Sequence, residues 1–226
     1  MLYVVATPIG NLDDLSIRQA KTLANSDIIL AEDTRSAFTL LDAIKKRFAF
    51  PVTCSKVWSY YKEKEFEKLP EIIELLEQGK NISLISQAGT PLISDPGFLL
   101  VKTVIKKNLP ITVIPGPSAV ISSLVLSGFD LKQFTFLGFL PKKTGQIVQS
   151  INRLYTIKKN FPEMVFVFYE SPKRIKETLK CFIALKWSPE IVICREMTKK
   201  FEEIIRGNAE DLMKRDYKGE ITVLVK

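Results

Sequence analysis

Residues 82–97, ISLISQAGTPLISDPG, carry the reading that decides the fold. Ile82 to Ile85 is a short, mostly apolar run of the kind that fills a buried strand. It passes directly into Ser86-Gln87-Ala88-Gly89-Thr90-Pro91 and then Ser94-Asp95-Pro96-Gly97, a dense cluster of turn formers. An apolar helix follows over Phe98 to Ile105. Strand, rich turn and helix in that order are the repeating unit of an α/β layer.

The same unit recurs on both sides. Leu2 to Ala6 reads as a first strand that ends in Thr7-Pro8-Ile9-Gly10-Asn11. Asp13 and Asp14 are the start signals of a helix carrying Leu15, Arg18, Gln19, Thr22 and Leu23, and Ile28 to Leu30 is the next strand. Ala37 to Lys46 is a third helix candidate with a basic end, as the helix dipole favours. Lys62 to Gln78 has helical periodicity with Gly79 as its stop, and Ile111 to Ile114 is a strand halted by Pro115-Gly116-Pro117. Ser118 opens a helix that reaches Leu126.

Beyond it the spacing predicts strands at 134–140, 165–168, 191–194, 203–205 and 221–225, with helices at 146–157, 173–185 and 209–213. The expected fold is α/β in two α/β domains, 1–115 and 116–226, with a largely parallel sheet in the first.

Composition narrows the function classes. The chain has 226 residues, 46% of them hydrophobic, enough to fill real cores, and the charged share of 26% is ordinary for a globular protein. A net charge of +8 biases it toward polyanions such as RNA or acidic membranes. Three cysteines without C-x-x-C spacing fit a reducing, cytoplasmic setting, and the absence of histidine argues against zinc sites and histidine-based triads. The opening MLYVVATPIG reads as a strand rather than a signal peptide, and no run approaches membrane-spanning length.

In open α/β sheets ligands sit beyond the carboxyl ends of the strands. Three first-half strands end there in Gly/Pro/Ser-rich turns, at 7–11, 86–97 and 115–119, and a shared binding site is the expected reason. Neither a G-x-G-x-x-G after the first strand nor a G-x-x-x-x-G-K-[ST] occurs, so nicotinamide and P-loop readings lose ground.

Seven segments stand in one order along the chain: ATPIGNL (6–12), AEDTR (31–35), SQAGTPLISDPG (86–97), IPGPSA (114–119), FLGFLPKK (136–143), FYESPKR (168–174) and REMTKKFEE (195–203). Together they resemble the ribosomal small subunit methyltransferase I family, which belongs to the tetrapyrrole methylase-like methyltransferases. The resemblance implies S-adenosyl-L-methionine held in a cleft between two domains, a homodimer, and 2′-O-methylation of a cytidine in the decoding region of 16S rRNA, free or in the 30S subunit. Carried over by motif, it assigns the cofactor to Pro8, Gly10, Ser86, Ala88, Gly89, Thr90, Pro117, Ser118 and Ala119, and on the second domain to Tyr169 and Glu196.

The chain departs from the family pattern in carrying Gln87 for an aspartate, Lys173 for a histidine and Tyr60-Tyr61-Lys62 for a histidine-rich stretch. Gln87 keeps hydrogen-bonding capacity but removes a negative charge near a cationic sulfonium. The chain is also expected to lack the C-terminal extension of longer members.

A sulfonium methyl is already activated, so the protein has to align the acceptor oxygen and receive its proton, with no metal required. Glu32, Asp33, Arg35 and Glu170 are the candidates for that chemistry. Asp33 either accepts the proton or caps the following helix, and Glu170 and Glu196 either orient substrate or tie strand ends to neighbouring loops. Arg35, Lys142, Lys143, Lys173, Arg174 and Lys199 are candidate RNA contacts, against the alternative of solvated surface charge. Phe136, Phe139, Phe166, Phe168 and Tyr169 are expected in the core, with one or two left to stack on a splayed-out base. Two other functions stay open at this stage: a methyltransferase of the same fold acting on a tetrapyrrole or other small molecule, and a non-catalytic RNA- or ribosome-binding protein with a degenerate cofactor cleft.

Overall fold

The computed structural model describes residues 1–48, 51–54 and 56–226. The chain divides into two compact units, Met1–Ser118 and Ala119–Lys226.

The first unit runs β1 (Leu2–Val5), α1 (Ile17–Ala24), β2 (Ile28–Ala31), α2 (Thr34–Phe48), β3 (Lys56–Ser59), α3 (Lys62–Glu77), β4 (Ile82–Ile85), α4 (Phe98–Lys106) and β5 (Ile111–Ile114). Its sheet has the order β3-β2-β4-β1-β5, and every recorded pairing is parallel. Strands β2 and β4 are buried along their whole length because helices cover both faces. On one face α1 and α2 pack Ala20, Leu23, Leu40, Leu41 and Ile44 against Val5, Ile29 and Ile85. On the other, α3 and α4 bring Ile72, Ile73, Leu76, Leu100 and Val104 against Leu2, Leu30, Ile82 and Leu84.

Three local readings are corrected. Helix α1 starts at Ile17, where Ser16 and Gln19 form a capping box, while Asp13 and Asp14 belong to a short 3₁₀ turn. Helix α2 starts at Thr34 rather than Ala37 because the Asp33 side chain receives the Arg35 N–H at 2.8 Å. Strand β3 was not expected: it is a four-residue edge strand, KVWS, too short to show a pattern.

The second unit runs α5 (Ala119–Ser127), β6 (Phe134–Phe139), α6 (Thr144–Asn160), β7 (Val165–Glu170), α7 (Ile175–Ala184), β8 (Ile191–Arg195), β9 (Glu203–Gly207), α8 (Ala209–Met213) and β10 (Ile221–Val225). Its sheet, β6-β7-β10-β8-β9, is mixed: β6 and β7 are parallel, whereas β10 lies antiparallel between β7 and β8. A core of Phe166, Phe168, Leu179, Phe182, Ile191, Ile193 and Val223 closes with Ile147, Ile151 and Leu154 of α6. Arg206 of β9 donates to the Leu126 and Ser127 carbonyls, satisfying the carboxyl end of α5.

Candidate active site

Chain direction in the first sheet sets the position of the site. The connection from β1 runs through α1 to β2, and that from β4 runs through α4 the other way to β5. The switch point therefore falls beyond the carboxyl ends of the adjacent strands β1 and β4, where open α/β sheets bind ligands.

The three rich turns meet there. Thr7 and Gly89 exchange backbone hydrogen bonds at 2.8 and 3.1 Å, and the Thr90 hydroxyl donates to the Pro117 carbonyl at 3.2 Å. The Ser86 hydroxyl faces the Gly89 carbonyl at 3.2 Å. Gly89 has φ +81°, and a Cβ there would lie 3.2 Å from Ile9, so glycine is what lets the turns close on one another. Gly116 is needed for space: an added Cβ would lie 1.9 Å from Nε2 of Gln19. Gln19 is fully buried, and that nitrogen donates to the Ala6 carbonyl at 2.8 Å. One side chain thus ties the start of α1, the end of β1 and the turn after β5.

Beside this junction lies a cavity of about 300 Å³ lined by Thr7, Pro8, Gly10, Leu12, Asp33, Arg35, Ser36, Ala37, Thr39, Leu40, Ile85, Ser86 and Gln87. Its volume is at the small end of ligand pockets, and its wall mixes aliphatic carbons with hydroxyl, amide and guanidinium groups, the usual make-up of a site that orients a small polar molecule. Arg35 is exposed at its edge. Ser86 and Gly89 are buried, whereas Gln87 and Ala88 are exposed.

Asp95 is the functional candidate that the sequence reading did not single out. Leu92 and Ser94 take φ of +70° and +74°, and Gly97 +124°, which folds the Ser94–Gly97 turn back on itself. Asp95 is thereby partly buried beside Glu32 and the Ser86 hydroxyl; burial first, and then the Glu32 carboxylate, push its carboxyl up to about 6. The turn is anchored from behind by Glu65 of α3, whose carboxylate receives the Leu99 and Leu100 N–H groups at 2.8 and 3.3 Å and so caps α4 from another helix. Gln19 was legible as the last residue of an S-x-x-Q capping box. The sequence gives no sign that Asp95 lies beside Glu32.

The second unit treats its own candidates differently. Glu170 is 2% exposed, and its carboxylate receives the Ser171 N–H at 2.7 Å, the Thr178 hydroxyl at 2.8 Å and the Arg174 guanidinium at 2.6 Å. Arg174 also donates to the Leu140 and Pro141 carbonyls. These two residues, expected in the chemistry and on RNA respectively, form a clasp between the ends of β6 and β7. Glu196 accepts the Glu220 N–H at 2.8 Å and Lys199 at 3.1 Å, and Lys199 reaches Glu220 as well. The Glu220 N–H, with Lys199 beside it, holds the Glu196 carboxyl below the usual range. Gly219 passes so close that a Cβ would lie 2.4 Å from that carboxylate. Glu196, expected at the cofactor, and Lys199, expected on RNA, are thus engaged with each other and with Glu220. Tyr169 packs its ring between Phe136 and Phe139, and Ala119 begins α5. Lys142, Lys143 and Lys173 are exposed.

Residues 1–213 match the family model described as Tetrapyrrole (Corrin/Porphyrin) Methylases. The chain is 40% identical over 228 residues to a protein of Streptococcus pyogenes named Ribosomal RNA small subunit methyltransferase I, spanning 99% of this chain and 75% of that protein. Proteins of the same name from Thermotoga maritima and a Hydrogenobaculum species are 39% and 38% identical, with 97% and 94% of their lengths covered.

The chain belongs to the ribosomal RNA small subunit methyltransferase I family of the tetrapyrrole methylases.

The structure of the methyltransferase is similar to those of diphthine synthase and of the methyltransferase CobJ. Each has a TM-score of 0.69, at 14% and 16% identity, over 100% and 99% of this chain and 90% and 92% of theirs, a likeness of fold. As an enzyme of this family it takes a methyl group from a donor. Among the described residues there is no cluster of three or more His, Cys, Asp or Glu suited to a metal, and no helix long and apolar enough to cross a membrane.

Proposed function

We propose that this methyltransferase carries a methyl group from S-adenosyl-L-methionine to the ribose 2′-oxygen of a cytidine in the decoding region of 16S rRNA, as a cytoplasmic homodimer acting on the 30S subunit or its RNA. The observation that carries the reading is the meeting of the turns after β1, β4 and β5 beside a cavity that reaches Asp33 and Arg35. The names of the relatives point to the small-subunit RNA.

The residues at the junction suit an adenosine-bearing donor. Gly10 and Ala88 are exposed and leave backbone open to close approach, buried Pro8 and Gly89 shape the turns beneath them, Ser86 and Thr90 contribute hydroxyls, and Pro117 and Ser118 belong to the third turn. When bound, the donor supplies a methyl group already activated by a sulfonium. The protein has to hold the ribose hydroxyl in line and take up its proton. Asp95, with its carboxyl raised to about 6 and Glu32 adjacent, is ionised at neutral pH yet basic enough to receive it. Arg35 holds a phosphate of the RNA at the cavity edge. Asp33 serves as the cap of α2.

Purified protein incubated with tritiated S-adenosylmethionine and 30S subunits from a strain lacking this modification tests the reading. A labelled, alkali-resistant ribose in 16S rRNA supports it. Absence of label in RNA, or label appearing instead in a uroporphyrinoid offered in competition, overturns it.

A further inference from the structure

Strand β6 lies at the edge of the second sheet, and its last residue is out of place for a core aromatic. Phe139 is 58% exposed although it ends a strand whose neighbour, β7, is almost wholly buried. The cause is local. Gly138 takes φ +66°, and the register of β6 on β7 shifts between Phe136 and Phe139, so the strand bulges at its end. Phe139 is left with its ring against Tyr169, at 5.4 Å between centroids. Tyr169 is in turn backed by Phe136 at 5.0 Å. Tyr169 and Phe136 back the Phe139 ring on one side and leave it exposed on the other.

Cationic groups surround it. The chain turns immediately after Phe139, and Arg174 pins that turn by donating to the carbonyls of Leu140 and Pro141. Lys142 and Lys143 leave the pinned turn exposed, and Lys173, also exposed, precedes Arg174 in the loop after β7. Of the neighbouring carboxylates, Glu170 is neutralised by Arg174, while Glu177 accepts the Thr144 hydroxyl and keeps its charge. Among the described residues no ion pair ties Lys142, Lys143 or Lys173 to a carboxylate, so the three lysines outnumber the one charged carboxylate beside them.

We propose that this edge is a platform for single-stranded RNA, with Phe139 stacking on an unpaired base and Lys142, Lys143 and Lys173 holding the phosphates on either side. The platform rests on the RNA-methylating reading and gives it a place on the second unit. An exposed aromatic ring among lysines is the pairing that single-strand binders use, because every unstacked base offers a π-face while a duplex hides it. A protein partner would call for a broader apolar patch, without three unpaired lysines at its centre.

Binding of a fluorescein-labelled single-stranded RNA 12-mer, and of the same sequence as a blunt duplex, tests the platform on the full chain by anisotropy. Phe139→Ala is expected to weaken single-strand binding about tenfold, and Phe139→Tyr to stay near wild type, both with unchanged melting temperature and sedimentation. Lys142→Glu with Lys143→Glu is expected to weaken binding and flatten its dependence on salt, by about 1.4 in the log–log slope for two phosphate contacts.

Wild-type affinity in Phe139→Ala overturns the platform, as does an altered oligomeric state with RNA affinity intact, which would mark the edge as an interface between copies. Methyl transfer to RNA alongside an unaffected Phe139→Ala would sink the platform alone. RNA bound through Phe139 without any transfer to RNA would sink the functional reading and leave the platform standing.

Discussion

Asp95 in the first unit and Glu170 in the second are both carboxylates beside strand ends, and they are set in opposite surroundings. Glu170 is the more deeply buried, yet a guanidinium, a hydroxyl and a backbone N–H satisfy it. Asp95 is only partly buried, but it faces another carboxylate with a single hydroxyl in support, and its carboxyl is raised to about 6. Burial alone therefore does not set the state of a carboxyl group; its partners do. In the first unit a carboxylate is set beside another carboxylate, and in the second it is closed into a clasp by a cation.

Exchanging each carboxylate for its amide separates the two most sharply. Asp95→Asn is expected to lower the rate of methyl transfer by about 10²- to 10⁴-fold, the share that a positioned base supplies. The same change is expected to raise the melting temperature at pH 8. The folded state holds the Asp95 carboxyl above its unfolded value, so stability falls as pH rises from that unfolded value toward about 6, and the full penalty is present above it. Below the unfolded value the group is neutral in both states, and the gain should vanish near pH 3.

Glu170→Gln should behave in reverse. Removing one partner of a buried ion pair costs about 3 kcal/mol, read as a lower denaturant midpoint, while the folded fraction transfers methyl at the wild-type rate. A rate loss without a stability loss would erase the contrast.

The clamp behind the first unit's turns comes next in size. Gly116→Ala forces its new Cβ onto Gln19 and is expected to cost about 2 kcal/mol through the lost hydrogen bond to Ala6, with weaker donor binding by calorimetry. Gln19→Ala in the same chain should remove most of the added cost of Gly116→Ala, a coupling that a double-mutant cycle measures directly.

The smallest effect is expected at Arg35, exposed at the cavity edge. Arg35→Ala should weaken affinity for 30S subunits by about tenfold, the scale of one charge-assisted contact, and leave the melting temperature unchanged.

Much of this was legible in the sequence. The alternation of strands and helices, and the turn-rich ends of β1, β4 and β5, follow from patterns of a few residues. β3 escaped because four edge residues carry no period. Asp33 was readable either as a base or as a cap, and only the 2.8 Å bond to the Arg35 N–H assigns its side chain to the cap. The contrast between Asp95 and Glu170 was beyond reach for a deeper reason. Both are single acidic letters in rich turns, and their roles depend on Glu32, some sixty residues before Asp95, and on Arg174 and Thr178, one turn and two turns after Glu170. The local pair Glu170 and Arg174 has a helical spacing that could have flagged a clasp. The distant pair leaves no mark in sequence.

Single-turnover methyl transfer to undermethylated 30S subunits, followed from pH 5 to 8 in wild type and in Asp95→Asn, tests the central assignment most directly. Wild type should rise through a midpoint near 6 to a plateau, as the carboxylate ionises, and Asp95→Asn should stay low and lack that midpoint. An Asp95→Asn protein that keeps the wild-type plateau, or the same midpoint, would contradict the account.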